Sequence, residues 1–403
     1  MKLELKNLLK LAKGIWVIKK VLIFNQNDLN QFISTLVEGL KVNDSIKLFS
    51  TSKVSYCSDV VINSKRTYDI IHRSTEDGPP YPIMFSEIVD ENKYIEECEG
   101  LIEECDLIII IDDNHTLSSA HFKGQDGHLI THLHDYAIAN YKNKIAFLDT
   151  ASLHFINDEY LMYGKYVGGH PSYCGVYFKR EKDLDLEWRD NVVPFPRAAE
   201  ERYFAGGKNF NSIWCNKDLD IASMFRTGGE PYRGDIKTIL NSHYGDNKKC
   251  NINNVFDKLD DTDRKIDKEI YGVEGDELAG SIRHHYSYYE ILRNTKINIE
   301  CPQYRGWGFH TQRMMESLAN GCCYFYPTPS YNIDFPNGLI DGEDFIIYNT
   351  PEDLIDKIEY YLTHEDEMRT IAENGFNKLI KYHTSEVRAK EFIETCERYM
   401  SEN

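Results

Sequence analysis

The feature that most constrains this chain is a repeated alternation. A short apolar run is followed by a polar loop and then by a helix-period pattern. Lys20-Val-Leu-Ile-Phe24 reads as a buried strand, Asn25–Asp28 as its loop, and Phe32, Leu36 and Leu40 as one helix face. Ile46–Phe49 reads as a second strand. Tyr94–Cys105 is helical, Asp106–Ile111 a fully apolar strand, His128–Tyr141 helical again, and Lys144–Leu148 a further strand. Strands apolar along their whole length must be covered on both faces, which predicts a parallel sheet between two layers of helices. Such sheets bind ligands beyond the carboxyl ends of their strands. The loops that could carry function are therefore Asn25–Asp28, Asp112–His115 and Asp149–Ser152.

The rhythm breaks between Pro194 and Asp218, a stretch holding Pro196 and the pair Gly206-Gly207. With 403 residues the chain exceeds what one hydrophobic core usually serves, so two domains are predicted. The first spans 1–212, the second 213–384, and a terminal helix at 385–403 returns to the first. In the second domain, Ile221–Phe225 reads as a strand, Arg226–Glu230 as a Gly-containing loop, and Pro231–Leu240 as a helix with Pro in its first turn. Asp257–Glu277 is crowded with acidic residues and reads as a solvated segment. Ile297–Glu300 is a strand, Gln303–Gly308 a loop, Phe309–Asn320 a helix ended by Gly321, and Cys322–Tyr326 a strand. Thr350 caps a helix opened by Pro351, with Leu354, Ile355, Ile358, Tyr361 and Leu362 on one face. The last helix runs from about Ser385 to Met400.

Charge and cysteine usage narrow the class. A net charge of −19 argues against a surface that holds nucleic acid by its phosphates or adheres broadly to anionic membranes. Ten cysteines occur without a Cys-x-x-Cys pair, and Cys98, Cys105, Cys322 and Cys323 lie in apolar or helical runs. That pattern fits buried thiols in a reducing compartment, and a cytoplasmic location is predicted. No apolar run is long enough for a transmembrane helix. Lysines are spread through residues 1–20 among leucines, which excludes a signal-peptide core. The segment reads as a leading helix packed on the domain, with weak membrane contact as the alternative.

The stretch from Arg305 into the helix at Phe309 suits a diphosphate. Gly306 and Gly308 let backbone approach an anion, and a helix N-terminus offers free N–H groups. Glu316, one turn past Arg313, could accept hydrogen bonds from ribose hydroxyls. The competing reading is a glycine turn before an amphipathic helix, with Glu316 and Arg313 as a solvated pair. Position 311 is Thr, so the dinucleotide-binding fingerprint fails. Asp112, Asp113 and His115 follow a buried strand and are candidates for a general base; the alternative is a capped turn. His128 and His132 share a helix face, but no His-Glu-x-x-His pattern or Cys partner accompanies them, and no metal site is predicted. Walker A and Gly-x-Ser-x-Gly sequences are absent.

Arg313-Met-Met-Glu-Ser-Leu-Ala-Asn-Gly321 resembles the Arg-x-x-Glu-x-x-Ala-x-Gly signature of GT-B glycosyltransferases. Leu339–Asp344, Tyr348–Leu354, Ile371–Gly375 and His383–Ala389 are similar to runs that follow it in the group-1 C-terminal domain. Tyr289–Lys296, and Asp218–Phe225 with Tyr232-Arg233, resemble the spore-maturation (CgeB-like) branch. The resemblance covers roughly 215–390 and implies an α/β fold of two Rossmann-like domains facing a cleft. It implies glycosyl transfer from a nucleoside-diphosphate sugar, most often a UDP-sugar, without a metal or organic cofactor. Donor binding would fall to Glu316, Arg313, Gly308, Phe309 and His310, with Arg226, Gly228 and Arg233 near the phosphates. Many retaining relatives carry a second Glu where this chain has Gly308, so stereochemistry stays open. So do the sugar, the acceptor (glycan, lipid, protein or nucleic acid) and the oligomeric state. A sugar-nucleotide epimerase and a non-catalytic sugar-nucleotide-binding protein are the alternative functions.

Overall fold

The computed structural model describes residues 17–24, 31–43, 45–50, 69–70, 91–112, 125–149, 171–204, 206–225, 231–252, 286–302, 311–329 and 337–402. They form two compact units, Met1–Pro196 with Glu386–Asn403, and Arg197–Ser385.

The strands of the first unit are β1 (Lys20–Phe24), β2 (Lys47–Ser50), β3 (Asp69–Ile70), β4 (Leu107–Asp112), β5 (Ile145–Asp149), β6 (Val176–Lys179) and β7 (Val192–Pro194). They pair in the order β3-β2-β1-β4-β5-β6-β7, all parallel. The helices are α1 (Gln31–Lys41), α2 (Glu91–Glu104) and α3 (Gln125–Tyr141). Strand alternation divides the core between the two faces. Val21, Ile23, Leu107, Ile109, Ala146, Leu148, Val176 and Phe178 share a cluster with Leu36, Val37 and Leu40 of α1. Leu22, Phe24, Ile108, Ile110, Ile145, Phe147 and Tyr177 share the other with Cys98 and Ile102 of α2 and Leu133 and Ala137 of α3. Apolar strands between two helical layers are what the alternation predicts.

The second unit holds α4 (Phe210–Trp214), β8 (Leu219–Ala222), α5 (Pro231–Tyr244), β9 (Cys250–Asn251), α6 (Tyr286–Asn294) and β10 (Thr295–Ile299). After these come α7 (Gln312–Ala319), β11 (Cys323–Pro327), β12 (Ile346–Tyr348), α8 (Pro351–Thr363) and α9 (Glu365–Tyr382). Its sheet runs β12-β11-β10-β8-β9, again parallel. The final helix, α10 (Ser385–Glu402), belongs with the first unit from Glu386 onward. Ala389, Phe392, Ile393, Cys396 and Met400 enter the α1-side core, where Phe392 lies 4.4 Å from Phe178 between ring centroids.

The division between units falls at Pro196/Arg197, not at 212/213. The reason is packing: Tyr203, Phe204, Phe210, Ile213 and Trp214 are buried in the second core. Ala199 is bridged to Thr384, and Ala199 N donates to His383 O at 2.6 Å, so the second unit's two ends are tied together. Among the described residues, no helix is long and apolar enough to cross a membrane. Residues 1–16 and the acidic segment at 257–277 lie outside the described residues.

Candidate functional site

Both sheets have a point where strand order reverses, and ligands on open parallel sheets bind there, beyond the carboxyl ends. In the second unit this point lies between β8 and β10. Glu300, directly after β10, is buried at 1% exposure. Its Oε1 receives Nη1 of Arg313 from α7 and lies 3.9 Å from Nη2 of Arg233 on α5. Arg233 also donates from Nε to the Cys301 carbonyl at 2.9 Å, and its guanidinium lies 5.6 Å over the Phe225 ring. Lys237, one turn farther along α5, donates from Nζ to the carbonyls of Ser223 and Ile252.

Electrostatics at this point turn on two guanidiniums around one buried carboxylate. Burial pushes the Lys237 ammonium down to about 7; Glu300 pulls it up, and Arg313 and Arg233 push it further down. Burial works against charge on Arg313, but Glu300 outweighs it and raises the guanidinium above its ordinary value. Two guanidiniums thus meet one carboxylate, while Lys237 nearby is held by backbone carbonyls. Arg313 Nε is buried with no hydrogen-bond partner among the described residues, while 14% of the side chain stays exposed.

Helix α7 begins later than the sequence pattern suggests. Thr311 is its N-cap and accepts from Met314 N at 3.2 Å, so the helix opens at Gln312 rather than Phe309. The expectation that Glu316 and Arg313 form a solvated pair is corrected as well, because each has another partner. Glu316 is fully buried and accepts from Tyr288 OH at 2.8 Å, Gln312 Nε2 at 3.0 Å and Tyr289 OH at 3.5 Å. Gln312 Nε2 also donates to Tyr203 OH at 2.8 Å. Burial raises the Tyr288 phenol well above its ordinary value, and the neighbouring Glu316 adds to the rise.

The structure therefore brings Arg313 and Arg233 together and sets Glu316 behind them in a network of phenols. Gly308, Phe309, His310, Arg226 and Gly228 lie outside the described residues. Glu300, Lys237, Tyr288, Tyr289 and Tyr203 escaped the sequence reading. A carboxylate closing an apolar strand, Ile-Asn-Ile-Glu, and a Lys four residues after Arg233 were the available signals.

In the first unit the order reverses between β1 and β4. Asp112 closes β4 in register with Asp149 on β5, while Asp113, His115 and the loop at 25–28 lie outside the described residues. Asp149 is buried, with Lys179 Nζ and Tyr177 OH both 2.8 Å from its Oδ2. On α3, His132 meets Glu99 at 3.0 Å and His134 lies edge-on to Phe24; burial pushes His134 down to about 4.

Solved structures show the same two-domain architecture. A glycosyltransferase from Rickettsia africae aligns with a TM-score of 0.55 at 11% identity, over 95% of this chain and 98% of its own. HepE of Anabaena, solved in complex with UDP and glucose, aligns with a TM-score of 0.50 at 9% identity, over 94% and 99%. At such identities the likeness defines the fold. No match is found among curated proteins. The two parallel sheets flanked by helices form a two-domain α/β fold of the GT-B type. Residues 252–394 match the family model described as "Glycosyl transferase-like".

Proposed function

We propose that this protein moves a sugar from a nucleoside-diphosphate sugar onto an acceptor hydroxyl. The observation that carries this reading is the convergence of Arg233, Lys237 and Arg313 at the β8/β10 switch point. Fixed guanidiniums such as Arg233 and Arg313 stabilise charge that develops on a leaving diphosphate. The acceptor oxygen forms a bond to the anomeric carbon, the bond from that carbon to the diphosphate oxygen breaks, and the acceptor proton passes to a base. Asp112, Asp113 and His115 are the proposed bases, and Glu316 is the proposed ribose partner. UDP is the favoured nucleotide, as the UDP complex of the Anabaena relative supports. The first unit is assigned the acceptor and the second the donor. The segments Tyr289–Lys296 and Asp218–Phe225 favour the spore-maturation branch. A cytoplasmic setting and metal-independent turnover complete the reading.

The test is release of UDP from a panel of UDP-sugars, with and without acceptors and in excess EDTA. Turnover is expected without added metal, and Arg313→Ala should lower it by about 10²–10³, the loss typical of one donor to developing negative charge. Turnover that vanishes in EDTA and returns with Mg²⁺ or Mn²⁺ would overturn the metal-free reading. UDP-sugars that neither bind nor turn over would overturn the UDP-sugar assignment.

A further inference from the structure

Arg233, Lys237 and Arg313 have a role in the proposed transfer, whereas Glu300, which meets the two arginines, has none. Glu300 sits where β10, the central strand of its sheet, ends. One of its oxygens, Oε1, is the meeting point of Arg313 from α7 and Arg233 from α5. Its own backbone is fixed too, since its carbonyl accepts from Tyr348 OH at 2.8 Å. Burying a carboxylate and two guanidiniums costs several kcal/mol of hydration per ion, and an apolar residue would close a buried strand at lower cost. What the carboxylate adds is geometry. A guanidinium presents five N–H donors in one rigid plane, so fixing one Nη orients the rest. Arg313 keeps a buried Nε with no partner among the described residues and an exposed portion of its side chain.

We propose that Glu300 is a positioning residue: it holds Arg313 and Arg233 in fixed register, so that the pair recognises the two phosphates of a donor rather than a single anion. This rests on the donor-site reading. It separates two quantities that a purely structural role would move together. Without the carboxylate the site is more positive, and simple anions bind at least as well. With the guanidiniums no longer held in register, the preference for a diphosphate over a monophosphate is lost.

The experiment compares wild type, Glu300→Gln and Glu300→Asp by calorimetric binding of UDP, UMP, uridine and sulfate, with a thermal midpoint for each protein. In Glu300→Gln the UDP-over-UMP affinity ratio is expected to fall at least tenfold, with uridine unchanged and sulfate equal or tighter. Glu300→Asp, which restores the charge one methylene short of its place, is expected to recover part but not all of that lost ratio. A Glu300→Gln protein that keeps the wild-type ratio overturns the proposal, as does one whose uridine, UMP and UDP affinities all fall alike. Should Glu300→Gln not fold, the Asp variant decides: a ratio below that of wild type supports positioning, and an unchanged one overturns it. A wild-type protein that binds UDP no better than uridine overturns the donor-site reading itself, and the proposal with it.

Discussion

Glu316, proposed above as the ribose partner, is already engaged by the fold. An ionised carboxylate has about four acceptor positions. Tyr288, Gln312 and Tyr289 already supply donors to this one, from within a fully buried setting. If Glu316 receives the ribose hydroxyls, a nucleotide competes with Tyr288 for the same oxygen. Two substitutions then pull in opposite directions. Glu316→Ala should weaken UDP binding by about 1.5–3 kcal/mol, the loss expected for hydrogen bonds to a charged group. Tyr288→Phe removes only a competing donor. It should cost about 1 kcal/mol of stability and leave UDP affinity equal or higher. Calorimetric UDP titrations and urea melts measure both. Lower affinity in Tyr288→Phe would mean that the phenol itself supports the nucleotide, and an unchanged Glu316→Ala would remove the residue from the site. The place of Glu316 was legible from its spacing to Arg313 on one helix. Its enclosure was not, because Tyr288 and Tyr203 are distant in sequence and nothing local encodes their approach.

Among the elements, those with chemical punctuation were readable. Thr350 caps α8 by accepting from Asp353 N at 3.1 Å, and Pro351 takes the first turn. Gly321, after the C-cap Asn320, has φ +64, a backbone region that glycine tolerates without strain. The short strands β6, β7, β9 and β12 were missed, whereas the equally short β2 and β8 were read from their apolar runs; two to four residues carry little usable period, and the pairing is set by distant neighbours. β8 was read too far along the chain. It closes at Ala222, and the next carbonyl, that of Ser223, is taken by Lys237. The run Ile371–Gly375 acquires a physical reason at α9. A Cβ on Gly375 would lie 2.4 Å from the Asp344 carbonyl oxygen and 2.8 Å from Leu318 Cδ2. Backbone cannot yield as a side chain can, so Gly375→Ala should destabilise by about 1–3 kcal/mol through overpacking of α9 on its neighbours. Urea unfolding of the variant measures this, and a midpoint within error of wild type would show that α9 shifts freely.

At the scale of the whole chain, neither sheet order follows from sequence, because parallel pairing links residues far apart. Yet the strands at the β1/β4 and β8/β10 reversals are ones whose following loops the sequence reading had singled out, 25–28 and 112–115 in the first unit, 226–230 and 303–308 in the second, along with 149–152 after β5. The chain passes between units near Pro196 and again near Ser385, after which α10 completes the first core. Phe392 is the centre of that closure, fully buried and in ring contact with both Phe178 and Phe195. Phe392→Ala should therefore cost about 3–5 kcal/mol, the usual loss for a large buried aromatic, and the loss should fall on the first unit. If the donor is held by the second unit alone, UDP affinity measured well below the unfolding transition should stay within twofold of wild type. Saturating UDP, at about 100 times its Kd, should still add about 2.7 kcal/mol to the unit that binds it. Thermal unfolding with and without UDP, together with a calorimetric titration, measures both quantities. A Phe392→Ala protein that stays folded but loses UDP affinity tenfold would show that donor binding draws on the first unit. The division of donor and acceptor between the two would then have to be abandoned.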